Sequence, residues 1–161
     1  MTNERINQVA RFFLRLALSV AFLVSIGDRF GLLGQYGARN VSWGDWSHFV
    51  QYVAVLNPFL PKSLFPALAA LETAIEFALG VALLLGIYQR AIAFTSAALL
   101  TSFALTMSFA LGPVAPLSYG VFTAVGAAFL LGAVAQSHSV AEPDPIVKTA
   151  GQVELTSVNG H

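Results

Sequence analysis

Four long apolar stretches constrain this chain more than any other feature. A helix needs about 20 residues, at ~1.5 Å each, to cross a ~30 Å hydrocarbon core. Stretches of that order occupy about 10–27, 63–87, 91–111 and 117–135. Charged residues make up 10% of the 161 positions and hydrophobic residues 57%, where a soluble domain carries ~25% charged residues. Too little polar surface remains to cover a soluble fold, and a mean hydropathy of +0.73 says the same. Intrinsic disorder and a multidomain soluble enzyme are excluded. The sequence predicts an all-α fold, a four-transmembrane-helix antiparallel bundle over residues 1–136. A polar, disordered tail is expected over 137–161, where Pro143 and Pro145 interrupt the chain.

The links refine this picture. Tyr88-Gln89-Arg90 and Gly112-Pro113-Val114-Ala115-Pro116 are short enough to force antiparallel neighbours. The first link, from Asp28 to Lys62, is far longer, and a structureless loop of that length is uncommon. Within it Trp46, Phe49, Val50 and Val53 follow i, i+3, i+4, i+7, which predicts an amphipathic helix over about 45–56. Asp45 is the expected N-cap and Asn57-Pro58 the stop. Twelve residues reach only ~18 Å, so this helix cannot cross. Its Trp43, Trp46, Phe49 and Tyr52 side chains suit the membrane interface or a cap on the bundle.

Lysine and arginine counts orient the spans. Arg5, Arg11, Arg15, Arg90 and Lys148 fall on one side, and Arg29, Arg39 and Lys62 on the other. The excess places both termini in the cytoplasm of a bacterial plasma (inner) membrane, with the long aromatic loop outside. Arg11 and Arg15 carry charge well into the first apolar stretch, which argues for a retained span rather than a cleaved secretory signal. Eight basic residues balance eight acidic ones, so nothing points to nucleic acid. With no cysteine, thiolate catalysis, disulfides and iron–sulfur ligation drop out. His48, His138 and His161 lack ligand spacing, and no metal site is expected.

Arg15, Glu72 and Glu76 lie inside spans, where each charge costs ~2.5–3.5 kcal/mol at a helix centre. Glu72 and Glu76 share a helix face. Arg15 is 14 residues from Arg29, and Glu76 is 14 residues from Lys62. Counting depth from the outer ends therefore sets Arg15 level with Glu76, and Glu72 one turn closer to the outside, below Arg29. Three readings stay open. Arg15 and Glu76 form a structural pair; the carboxylates line a proton path or a head-group site; or Glu72 is simply protonated and hydrogen-bonded. Thr95, Ser96, Thr101, Ser102, Thr106 and Ser108 in the third span are expected to bond back to backbone carbonyls or to a neighbouring helix. Gly120, Ala124, Ala128 and Gly132 make a close-packing seam.

The ionisable positions also fall in a familiar frame. Arg15-Leu16-Ala17-Leu18, running to Gly27-Asp28-Arg29-Phe30, resembles the opening of DoxX-like membrane proteins. Glu76-Phe77-Ala78-Leu79-Gly80-Val81-Ala82-Leu83-Leu84-Leu85-Gly86, followed by Arg90, is similar to that family's E-x-x-x-G-x-x-L-L-x-G stretch and arginine turn. Asp28-Arg29-Phe30-Gly31, Trp43-Gly44-Asp45 and Asn57-Pro58-Phe59 look like a subgroup with a longer first loop. Ser19 departs from the pattern by standing where glycine is common. The resemblance covers roughly 11–135. It implies a four-helix membrane protein, similar to the small membrane subunit of thiosulfate:quinone oxidoreductase or to partners of membrane redox complexes. On the match Glu76 is the family glutamate and Arg29 stands at its basic position.

Three functions follow as expectations. The first is a membrane subunit or partner of a quinone-linked oxidoreductase complex. There Arg15, Arg29, Glu72, Glu76 and Tyr119 would offer polar contacts beside an apolar slot, with quinone as the ligand. Asp28, Trp43 and Asp45 are the outer-loop candidates. The second is a small-solute or proton-coupled transporter, though no inverted repeat is visible. The third is a non-catalytic scaffold. Membrane lipid, a soluble or membrane oxidoreductase subunit, and a second copy of the chain are the partners considered; no catalytic residue follows from the sequence.

Overall fold

The first helix already departs from its expected length. In the computed structural model, which describes residues 3–137, α1 runs Asn3–Arg29, starting seven residues before the apolar stretch. Residues 3–9 contain no glycine or proline to stop it, and Glu4 in the first turn complements the helix dipole. After it come α2 (Trp46–Leu56), a 3-10 turn (Lys62–Leu64), α3 (Phe65–Leu85), α4 (Gln89–Leu111), α5 (Val114–Ser118) and α6 (Val121–Ser137). The described residues contain no strand. The tail expected to be disordered lies outside them from residue 138 onward.

Three helices are long and apolar enough to cross a membrane: Asn3–Arg29, Lys62–Leu85 with its leading turn, and Gln89–Leu111. The expected fourth span, 117–135, does not form as one helix. Its first residues belong to α5, and the chain turns at Tyr119-Gly120 before α6, leaving a shorter apolar helix over Val121–Ala135. Pro113 and Pro116 explain the early start, because their fixed φ suits a first helical turn. Phe13, Phe77, Phe109 and Phe129 point outward, the last two 88% and 58% exposed. Apolar exposure along all four helices is what a lipid-facing surface requires.

The core joins four elements: Leu18 and Phe22 of α1, Leu79 and Leu83 of α3, Ala93 and Ala97 of α4, and Ala128 and Leu131 of α6. Small residues matter here because lipid is as apolar as leucine, so helices gain by close packing and hydrogen bonds rather than by leaving water. Ala128 is fully buried, and a Cβ at Gly132 would press on the Phe94 ring, so the seam serves packing of α6 on α4. Five of the six hydroxyls in α4 bond back to their own helix, as Ser96 to the Ile92 carbonyl and Thr101 to that of Ala97.

The register of α1 on α3 is set by Ser19, which is fully buried and donates to the Gly80 carbonyl at 2.7 Å. The serine contributes a hydrogen bond between the helices. Contacts run Arg15 with Gly86, Ser19 with Gly80 and Arg29 with Thr73, so these two helices run in opposite directions.

At the Arg29 end, α2 lies against the first turns of α3 through Phe49, Val53 and Ala69, with Trp43, Trp46, Val50 and Leu68 around them. Asp45 caps α2 by accepting from the His48 amide at 2.9 Å. The loop between α1 and α2 is tied to the buried Asp28 carboxylate, which accepts from the amides of Ser42, Trp43 and Gly44 at 2.9, 3.1 and 3.2 Å. Gly44 sits at φ +68, where a Cβ would strike the backbone of Gln35 and Tyr36; only glycine lets the loop cross itself there.

Candidate functional site

Arg29 organises the site. It is the last residue of α1, yet only 3% exposed. Side chains on a helix lean toward its N-terminus, so Arg29 reaches back into the bundle while Glu76 leans outward to meet it. Its Nη2 donates to both Glu76 oxygens at 2.7 and 2.8 Å and to Ser25 Oγ at 3.3 Å; its Nη1 donates to Thr73 Oγ1 at 2.8 Å. The Thr73 hydroxyl in turn donates a hydrogen bond to the Ala69 carbonyl at 2.8 Å. Above the guanidinium, the Phe49 ring centroid lies 3.9 Å from Cζ and the Trp43 ring 5.3 Å away. A planar cation suits this slot better than an ammonium, since it can stack and pair at once. Arg29 Nε is buried and has no hydrogen-bond partner among the described residues.

The expected pair of Arg15 with Glu76 does not form. Arg15 lies against Gly86 at the opposite end of α3, beside the Phe12 ring. With Ser19 level with Gly80, equal steps put Arg15 level with Leu84, eight residues from Glu76. That is ~12 Å along the axis, beyond any direct pairing. The depth count failed because it took Lys62 and Arg29 as level ends, whereas the two helices are offset.

Beside the ion pair is a cavity of about 910 Å³ at the α2 end of the bundle, near the upper limit of ~300–1,000 Å³ for small-molecule sites. Its apolar walls include Leu18 and Phe22 of α1 and Leu100, Phe103 and Met107 of α4. Its polar groups include Ser25, Arg29, Glu72, Glu76, His48, Tyr52 and Tyr119, with Trp43 and Tyr36 from the loop. Glu72 is half-buried and makes no hydrogen bond or ion pair among the described residues, one turn from the fully engaged Glu76. Burial pushes the Tyr52 hydroxyl above its ordinary range, and Tyr119 and Glu72 add to the push.

The structure thus gathers Arg29, Glu72, Glu76, Trp43 and Tyr119 around one cavity and leaves Arg15 out. Asp28 and Asp45 work at its edge. Asp28 anchors the loop that carries Trp43. Asp45 holds His48 Nδ1 at 2.7 Å, and the His48 amide keeps the Asp45 carboxyl below its usual range. His48, Tyr52, Tyr36, Thr73 and Ser25 were not foreseen as site residues. His48 stands three after Asp45, Ser25 four before Arg29, and Thr73 three before Glu76, spacings that place these three beside a residue already singled out. Among the described residues no group of three His, Asp or Glu side chains could hold a metal ion.

Fold and site together define an all-helical protein, among the described residues, with three helices able to cross a membrane and a half-open cavity lined in part by aromatic side chains. Comparison with protein-family models, curated proteins and solved structures finds no match to this chain.

Proposed function

We propose that the chain is a DoxX-like four-helix membrane protein whose cavity binds a lipid-soluble carrier of the quinone type, as the membrane subunit or partner of a quinone-linked oxidoreductase complex. The cavity carries this reading. It is largely apolar, large enough for a substituted ring, and has polar side chains, Arg29, Glu72 and Glu76 among them, in its lining, features of a small-molecule site. In this arrangement α6 is the fourth span; its 17 residues reach ~26 Å, which a modestly thinned bilayer accommodates. Both termini lie in the cytoplasm of a bacterial inner membrane, and α2 roofs the cavity on the outer side.

The two tryptophans, Trp43 and Trp46, flank the cavity roof. Titrating the purified protein with decylubiquinone should quench their fluorescence saturably, and Trp43→Phe should remove most of the signal. Quenching that rises linearly, as in detergent alone, refutes the reading. The chain has no cysteine, so Asn3→Cys and Ser42→Cys supply unique labels; both should react from opposite faces of the membrane, and reaction from one face refutes the topology. Glu72, a carboxyl lining the cavity with no partner among the described residues, favours a second reading, exchange of a small solute against protons. Proton flux in liposomes that needs Glu72 would support it over the first.

A further inference from the structure

Hydrogen-bonding character is mixed along the cavity, where Ser25, Tyr36, Gln51, Tyr52 and Tyr119 offer both donors and acceptors. Charge is what the lining divides unevenly. The side chains there that carry a formal charge are Arg29, Glu76 and Glu72. Arg29 and Glu76 cancel one another at 2.7 Å, and His48 is turned to Asp45 through Nδ1. Glu72 is the odd carboxyl, with no hydrogen bond or ion pair among the described residues. Ala69, Glu72, Thr73 and Glu76 follow i, i+3, i+4, i+7 along α3. Ala69 packs with Phe49 and Val53 of α2, while Thr73 and Glu76 meet Arg29 of α1. Glu72 therefore belongs to the face of α3 turned toward α1 and α2. The Tyr52 hydroxyl of α2 is near enough to Glu72 and Tyr119 for both to act on it. From α4 the lining is Leu100, Phe103 and Met107, and from α6 Val121 and Ala124, none of them titratable.

An apolar slot accommodates a lone carboxyl in two ways: a proton neutralises it, or a cation brought by a ligand does. Either leaves the cavity without net charge, because Arg29 and Glu76 already balance. The aromatic side chains decide which cation fits. Tyr36, Trp43, Tyr52, Phe103 and Tyr119 line the same space, and aromatic faces attract ammonium groups. Two rings of this end already hold a cation, the Arg29 guanidinium under Phe49 and Trp43. A bare metal ion instead requires several oxygen ligands, and among the described residues no group of three His, Asp or Glu side chains could supply them. Resting on the second reading above, exchange against protons, we propose that the exchanged solute is an apolar organic cation, a substituted amine or quaternary ammonium, paired with Glu72 beside Tyr52 and Tyr119. The cation enters as the Glu72 proton leaves to water, so charge balances and one carboxyl serves both ions in turn.

Benzyltrimethylammonium is the probe, because it carries no titratable proton and any proton released comes from the protein. Neopentylbenzene is its uncharged counterpart of the same shape. Tryptophan fluorescence of the purified full chain reads both, through Trp43 in the lining. Cation affinity should rise from about pH 5.5 to about pH 8, by up to about tenfold per unit while the carboxyl still holds its proton. Calorimetry at the acid end, in buffers of different ionisation enthalpy, should count about one proton released per cation bound. Glu72→Gln should weaken the cation by about tenfold or more and abolish the release, leaving neopentylbenzene binding and helicity little changed. Unaltered cation binding in Glu72→Gln, an equal loss of neopentylbenzene binding, or a proton release that survives the change and traces to His48, overturns the inference. Absence of cation binding together with Glu72-dependent proton flux in liposomes also overturns it and leaves the exchange reading standing; absence of both overturns both. Decylubiquinone quenching judges the carrier reading independently.

Discussion

The Arg29–Glu76 pair offers the sharpest test of how this bundle is held together. Both partners are nearly inaccessible, at 4% and 2% side-chain exposure. Removing one partner of such a pair strands the other charge and costs about 3–5 kcal/mol. Arg29→Ala also loses the stacking of Phe49 and Trp43, for which a desolvated cation–π contact contributes about 2 kcal/mol. Once either charge is gone, removing the other relieves the stranded group. The double variant should therefore cost little more than the worse single change, giving a coupling energy of roughly 3 kcal/mol. The matched control is Arg15 with Glu76. Their side chains belong to levels ~12 Å apart, so those changes should add within about 0.5 kcal/mol. Reversible unfolding in mixed detergent micelles reads both cycles, with helicity as the signal. A coupling below about 1 kcal/mol for Arg29 with Glu76, or a comparable coupling for Arg15 with Glu76, would refute the reasoning.

Asp28→Ala removes the acceptor of three loop amides. With a hydrogen bond to a charged group contributing a net ~1.5–3 kcal/mol, the loop should loosen; trypsin should cut after the exposed Arg39 at least several-fold faster, Asp28→Asn should be intermediate, and unchanged cleavage contradicts the anchor. Asp45→Ala should lower the melting temperature at neutral pH. The Asp45 carboxyl is depressed from 3.8 by the His48 amide first and the His48 ring next, so its stabilisation is complete above that value and fades as pH falls through the depressed one. The difference between the two proteins should therefore vanish in strong acid, and a difference that persists there means the cap is not electrostatic.

The elements most legible from sequence are those whose cause is local. The α2 helix starts behind Asp45 and stops at Asn57 because the Asp45 side chain satisfies the His48 amide in its first turn and a following proline forbids continuation. Its buried face, Phe49 and Val53, follows directly from spacing. The hydroxyls of α4 could bond to carbonyls a turn back without help from any neighbour. The break at Tyr119-Gly120 was less legible because apolar content continues across it, and hydropathy does not register where two prolines start a short helix early. The extension of α1 to Asn3 was hidden for the opposite reason: polar residues outside an apolar stretch continue a helix whenever nothing breaks it.

The site was legible in its membership and not in its pairing. Glu72 and Glu76 stand out because a carboxyl is costly in an apolar helix, and Arg29 because it closes one. Which cation meets which carboxylate depends on the offset between helices, and that offset is fixed by a contact between small residues, Ser19 against Gly80, which carries no charge signal. The main chain at Arg29 is level with Ala70, about 9 Å short of Glu76 along the axis. Only the length of the arginine and the opposite lean of side chains on helices of opposite direction close that gap. Counting residues from helix ends treats side chains as points at their Cα depth, which serves alanine and fails for arginine. A basic residue ending a membrane helix is therefore as well placed to reach inward as outward, and here the aromatic roof of Phe49 and Trp43 holds it in the inward position. The same roof commits Arg29 to Glu76, and among the described residues Glu72, one turn away, is left as a carboxyl without a cation.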